Sequence, residues 1–281
     1  SGTKYSQEKM KVLSSSAYFF LLANITCAQE DPELTGPGLE IGLISEATGV
    51  APGTPLTLGL HIHHLPGFHT YWKNPGIVGM ATSIEWQLPE GFIASEIRWP
   101  YPEKTFMSKY PCHGYERDVT LIVEITPPDQ ITTKEVNFKA KSAWMCCAKG
   151  CFPGFETFTI TLPVTKKPKA VLSAKAHLSK AFSELPLKDH NIKGILKSRP
   201  DKKMITLSFQ GDFKEPLEEA YFFSSDGQIS SDQKQRFIAE KDGSITLEIA
   251  RSEFSPKGKT TIPGVLKIGG RHLEIEAKPK R

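Results

Sequence analysis

Between Leu56 and His63 the chain alternates without a break. Leu56, Leu58, Leu60 and Ile62 fall on one side; Thr57, Gly59, His61 and His63 fall on the other. A period of two is the pattern of a β-strand with one buried face, and a helix would scatter the same residues around its circumference. Strand-like runs recur at Leu39–Ile44, Thr82–Leu88, around Phe92 to Trp99, and at Tyr115–Ile125, Val136–Trp144 and Phe155–Leu162. Proline and glycine punctuate them, as at Val50-Ala-Pro-Gly-Thr-Pro55, Pro89-Glu90-Gly91 and Thr126-Pro-Pro-Asp129. About seven or eight short strands with turn signals every 8–12 residues or so predict an immunoglobulin-like antiparallel β-sandwich. A parallel α/β sheet would need helical patterns between the strands, and none precedes residue 165. Leu65–Gly76 reads as an aromatic-rich loop, and Pro100–Gly114 as irregular.

The composition shifts at Pro163–Lys169, which reads as a linker. Val171, Leu172, Ala176, Leu178 and Phe182 then recur at helical spacing, and Pro186 stops the pattern, so a helix is expected over Ala170–Leu185. Strands resume at Met204–Phe209, Ala220–Phe223, Ser244–Ile249 and Val265–Ile268. The expected fold is therefore mainly β: a sandwich over residues 29–165, then a helix and a second, smaller β domain over residues 166–281. The accessory part contains no cysteine and no acidic cluster.

Lys9-Met10-Lys11, the apolar run from Val12 to Ile25 and the small residues of Thr26-Cys27-Ala28 form the pattern of a secretory signal peptide. Residues 1–28 are thus expected to be cleaved and the mature chain to be soluble in an oxidising compartment, where paired cysteines persist. The formal charge of +4 comes from lysines and arginines spread along the chain. No basic block interleaves with aromatics, which argues against nucleic-acid binding.

The chemistry concentrates at Trp144-Met-Cys-Cys-Ala-Lys-Gly-Cys-Phe-Pro-Gly154, which holds three of the five cysteines. If residues 142–158 run strand, tight turn, strand, then Ala148-Lys149-Gly150 is the loop, with Gly150 supplying a left-handed position. Cys147 and Cys151 then face each other at its base, at a spacing a disulfide can bridge. A ring this small constrains the unfolded chain little, so the bond is a poor staple and reads as an exchanging disulfide. Lys149 inside the loop favours a thiolate at either sulfur. Cys146 points to the opposite strand face, as a buried thiol or as the partner of Cys112.

Three other readings use the same residues. Cys112–Cys146 plus Cys147–Cys151 would make a purely structural pattern. The clustered cysteines with Cys112 or His113 could bind zinc. Met107, Met145 and His61, His63, His64 and His69 with the cysteines could bind copper. The leading reading requires neither metal nor cofactor.

The segment Trp144-Met-Cys-Cys-Ala-Lys-Gly-Cys-Phe-Pro153 resembles the Trp-x-x-Cys-x-x-x-Cys-x-Pro segment of the periplasmic N-terminal domain of DsbD and its ScsB-type relatives. Gly67–Gly76, Trp86–Gly91, Trp99-Pro100 and Gly114-Tyr115-Glu-Arg-Asp-Val-Thr-Leu121 follow the family's order. The resemblance covers roughly residues 39–165. It implies a thiol:disulfide interchange domain that carries electrons from a membrane electron-transfer protein of the DsbD/CcdA type to periplasmic thioredoxin-like oxidoreductases. It further implies that Cys151 attacks and Cys147 resolves, with Trp144, Pro153 and Tyr115 as supporting residues and a cap loop at about Phe106–Tyr115. Against the family pattern, Cys112 and Cys146 are additional, and the transmembrane and thioredoxin-like segments are lacking, so the electron donor is expected to be a separate protein. The competing reading is a non-enzymatic secreted β-sandwich that binds a partner protein or copper and uses its cysteines for structure.

Overall fold

In the computed structural model, which describes residues 38–198, 202–213 and 217–280, the alternating runs become strands. The expected signal peptide, including Cys27, lies outside the described residues. The first strands are β1 (Leu39–Ser45), β2 (Leu56–His64), β3 (Thr70–Gly76), β4 (Ser83–Gln87) and β5 (Ile93–Ala94). They are followed by β6 (Glu103–Met107), β7 (Tyr110–Tyr115), β8 (Val119–Thr126), β9 (Glu135–Cys147) and β10 (Cys151–Pro163).

One sheet has the order β1-β2-β8-β5 and a second the order β10-β9-β4. Leu58, Val123 and Ile125 from the first pack with Phe138 and Leu162 from the second, and Phe92 meets Phe138 edge-on at 5.4 Å. Burial of each such side chain contributes roughly 1.5–3 kcal/mol, which is what holds two sheets face to face. The four apolar residues singled out on β2 are all buried, as the alternation predicts.

A third small sheet, β3-β7-β6, occupies the stretches expected to be a loop and irregular chain. Both expectations fail for one reason. Thr70, Tyr71 and Trp72 are consecutive and buried, as are Cys112, His113, Gly114 and Tyr115. With both faces covered, a strand has no polar side and the period of two disappears.

Helix α1 (Leu172–Ser183) is shorter than expected and turned differently. Its buried residues are Ala174, Leu178 and Ala181, while Leu172 and Phe182 are exposed. Small residues face inward because the helix lies against the outer face of the first sheet, where a Cβ on Gly59 would come within 3.0 Å of Leu178. The linker stretch is pinned to the sandwich by bridges between Val50 and Val164 and between Ala47 and Ala170.

The remaining strands are β11 (Lys193–Leu196), β12 (Met204–Gln210), β13 (Ala220–Ser224), β14 (Arg236–Ala239), β15 (Ile245–Ala250), β16 (Ile262–Ile268) and β17 (Arg271–Pro279). They form one sheet, β13-β16-β17-β11-β12-β15-β14, antiparallel except for the β11/β17 pair. Its core includes Ile205, Leu207, Phe209, Leu247 and Leu273. Two of its residues, Phe223 and Val265, instead join the core of Leu60, Trp72, Tyr115 and Trp144. The described residues thus belong to one compact unit, and the accessory sheet shares a core with the sandwich. None of their helices is long and apolar enough to cross a membrane.

Candidate functional site

The β9/β10 hairpin puts Cys147 and Cys151 in direct register, with their Cα atoms 4.1 Å apart and their sulfurs joined in a disulfide. Ala148, Lys149 and Gly150 form the loop, closed by the Ala148 N–H donating to the Gly150 carbonyl at 2.8 Å. Gly150 is not in the left-handed region, contrary to expectation. The turn is made without it, and Lys149 projects from an exposed loop. The two cysteines differ in access: Cys147 is fully buried and Cys151 is exposed.

Strand alternation separates the remaining thiols. Cys146 shares the inward face with Trp144 and sits in the core with Leu60 and Phe68, where burial pushes its thiol up to about 12. Cys112, on β7, packs in another small cluster with Tyr71 and Cys147, flanked by Val78, Met107 and Met145. Burial pushes the Cys112 thiol up to about 11. Both cysteines are free, so the Cys112–Cys146 bridge entertained from the sequence is not formed. The reason is geometric: Cys112 meets the Cys147 face of the hairpin, while Cys146 points into the sandwich.

His69, which the sequence offered only as a metal ligand, belongs to the site. It exchanges both backbone hydrogen bonds with Cys147, each 2.9 Å, and its Nε2 lies 4.0 Å from Cys112 Sγ. Its link to the cysteine pair is not local in sequence, since the bridge joins the residue before β3 to the last residue of β9. The supporting residues have packing roles. Trp144 stacks near Phe158 and lies across Gly154, where an added Cβ would come within 2.2 Å of the indole. Pro153 pairs with Met145 beside the disulfide. The buried Tyr115 hydroxyl donates to the Pro100 carbonyl at 2.8 Å and anchors one end of the expected cap. That cap is the β6/β7 hairpin, and it brings Met107 and Cys112 over Cys147.

The other metal candidates are dispersed. His61 bonds Thr120, His63 pairs with Asp118 at 2.8 Å, and His64 is held between the Arg117 carbonyl and Thr70. Among the described residues, no group of three or more His, Cys, Asp or Glu is placed to hold a metal ion.

His64 and His113 carry a consequence for acid stability. Burial holds both imidazoles down at about 4, against an ordinary value near 6.5. The unfolded chain therefore binds protons that the folded chain refuses as pH falls from about 6.5 to 4, and stability falls with it. Each histidine should cost up to about 1.4 kcal/mol per pH unit in that window. A scan of melting temperature against pH should drop steeply below about pH 6, and His64→Gln should flatten the drop.

Residues 44–172 match the family model described as thiol:disulfide interchange protein DsbD, N-terminal. Among solved structures, the N-terminal periplasmic domain of ScsB from Proteus mirabilis shares the fold: it is 15% identical, with a TM-score of 0.64, over 88% of this chain and 95% of that one. That coverage takes in the accessory sheet as well as the sandwich. A marsupial T cell receptor (13% identity, TM-score 0.21, 86% of this chain and 97% of that one) also matches. So does a titin I9–I11 tandem (10% identity, TM-score 0.20, 85% and 65%), and at such scores neither bears on the argument. No curated protein matches the chain.

Proposed function

Residues 44–172 form a DsbD/ScsB-like N-terminal domain, and from that premise we propose that the chain is a periplasmic carrier of reducing equivalents working through Cys147 and Cys151. A membrane electron-transfer protein of the DsbD/CcdA type reduces the pair. Reduced Cys151 attacks the disulfide of a thioredoxin-like oxidoreductase, and Cys147 resolves the mixed disulfide. The observation that carries this reading is the unequal access of the two bonded cysteines, one an exposed residue at the hairpin end and one buried beneath the cap. An exposed thiolate can meet a partner; a buried neighbour can only resolve what the first has captured. Residues 29–165 would then be the exchange module and residues 166–281 its accessory support, with residues 1–28 the export signal.

Equilibration with glutathione or dithiothreitol buffers tests the reading. An exchanging pair should titrate at a potential above about −300 mV, the region of disulfides that trade with cellular thiols. A potential well below that, with no transfer to a thioredoxin-fold substrate, would mark a structural bond.

The surface beside Cys151 also suits a partner. On β10, Cys151, Pro153 and Phe155 share a face, and Phe155 is 72% exposed. Exposed aromatics of this kind are frequent binding anchors, with truncation costing more than about 1 kcal/mol. Phe155→Asp should slow exchange with a thioredoxin-like partner about tenfold, leaving the reduction potential and melting temperature unchanged.

A further inference from the structure

Resting on that exchange reading, we propose that Cys112 is a third redox cysteine, whose thiol opens the Cys147–Cys151 disulfide at Cys147 and stores it internally as Cys112–Cys147. Three observations converge. Cys112 and Cys147 are buried in one cluster, closed by Tyr71, Met107 and Met145. His69 contacts both: its backbone pairs with that of Cys147, so their side chains share a face, and its Nε2 is 4.0 Å from Cys112 Sγ. The Tyr71 hydroxyl is buried beside the cluster with no hydrogen-bond partner among the described residues, and its ring stands edge-on to His69 at 5.1 Å. A buried donor without an acceptor is destabilising. A sulfur anion formed in exchange is an acceptor that could relieve it.

The step balances without any outside oxidant. Cys112 passes its proton to His69 Nε2, and the resulting thiolate attacks Cys147 Sγ. The Cys112–Cys147 bond forms as the Cys147–Cys151 bond breaks; Cys151 leaves as a thiolate that takes a proton from water, and His69 returns to solvent the proton it accepted. Two sulfurs stay oxidised throughout. Burial keeps His69 below its ordinary value, so at neutral pH the imidazole is uncharged and can accept the proton. The same burial keeps Cys112 a thiol at rest, which makes Cys147–Cys151 the resting form. In the alternative form the disulfide lies under the cap, out of reach of solvent thiols, and the exposed Cys151 is free.

The test uses the full chain, oxidised with glutathione disulfide, quenched in acid and digested without reduction for mass spectrometry. In the wild type a Cys112–Cys147 peptide should accompany the Cys147–Cys151 peptide at about 1–10%, and iodoacetamide should label Cys151 before unfolding to the same extent. Cys112→Ala should abolish that labelling. In Cys151→Ser nearly all Cys147 should be recovered linked to Cys112. Recovery of Cys147 from Cys151→Ser as a free thiol or glutathione adduct, with Cys112 alkylated after unfolding, would overturn the proposal. If the wild type still trades disulfides with a partner in that case, only the Cys112 step falls. If the wild type fails to exchange, the carrier reading falls, whichever way Cys151→Ser reports on Cys112.

Discussion

A Cys147→Ser chain, reduced and mixed with a thioredoxin-like protein carrying a disulfide, should accumulate as a mixed disulfide through Cys151. A Cys151→Ser chain should yield less by a factor on the order of 100 or more. The asymmetry follows from access. Cys151 begins β10 at the exposed end of the hairpin, whereas Cys147 is fully buried under Tyr71 and the β6/β7 cap. Attack requires the thiolate to align with the partner's sulfur–sulfur bond, and a serine hydroxyl cannot replace it. Once Cys151 is captured, only a thiol in register with it can release the partner, and the register gives that role to Cys147. Non-reducing gels with mass identification of the linked peptides read out both variants. Equal capture by the two would show that access does not set the order of attack, and capture through Cys147 would reverse the roles.

The sequence made this hairpin legible because its signals are local. Alternation fixed which side of β9 each cysteine faces, and the cross-strand geometry of a three-residue loop brought Cys147 opposite Cys151. The error over Gly150 is of the same local kind: the loop closes without the left-handed residue that such turns commonly use. What lay beyond reading was decided by tertiary cover. β3 and β7 lack alternation where Thr70–Trp72 and Cys112–Tyr115 are buried on both faces, so the sequence does not reveal the strand that carries Cys112 or the one that His69 leads into. Without those strands, Cys112 had no visible neighbour, and Cys146 looked like its partner by elimination. The helix shows the same limit: Ala174 and Ala181 face inward because of what they pack against, while the larger Leu172 and Phe182 remain exposed.

Phe223→Ala should be among the most damaging single substitutions in the chain, and its effect should reach the cap. Phe223 is 1% exposed on β13, yet its ring meets Trp72 of β3 at 6.3 Å and His113 of β7 at 4.9 Å. Beside it, Tyr221 takes the His113 Nε2 contact at 3.0 Å and the Lys104 ammonium over its ring at 4.8 Å. Ser231 adds a hydroxyl that donates to the Pro111 carbonyl, next to Cys112, at 2.9 Å and accepts from the Ile77 N–H at 3.0 Å. The accessory sheet therefore grips β3, β6 and β7, the strands that cover Cys147. Truncating a buried phenylalanine costs about 3–5 kcal/mol through lost contacts and the cavity left behind. Leu247→Ala, in the core of the accessory sheet alone, supplies the control, with a cost of about 2–5 kcal/mol. Both variants should melt earlier, but only Phe223→Ala should loosen the cap locally. Alkylation of Cys112 in the folded protein should then rise by a factor on the order of a hundred for Phe223→Ala relative to Leu247→Ala at matched global stability. Equal labelling of the two would mean that the cap opens only when the whole unit unfolds, and that the accessory sheet stabilises the site without controlling access to it.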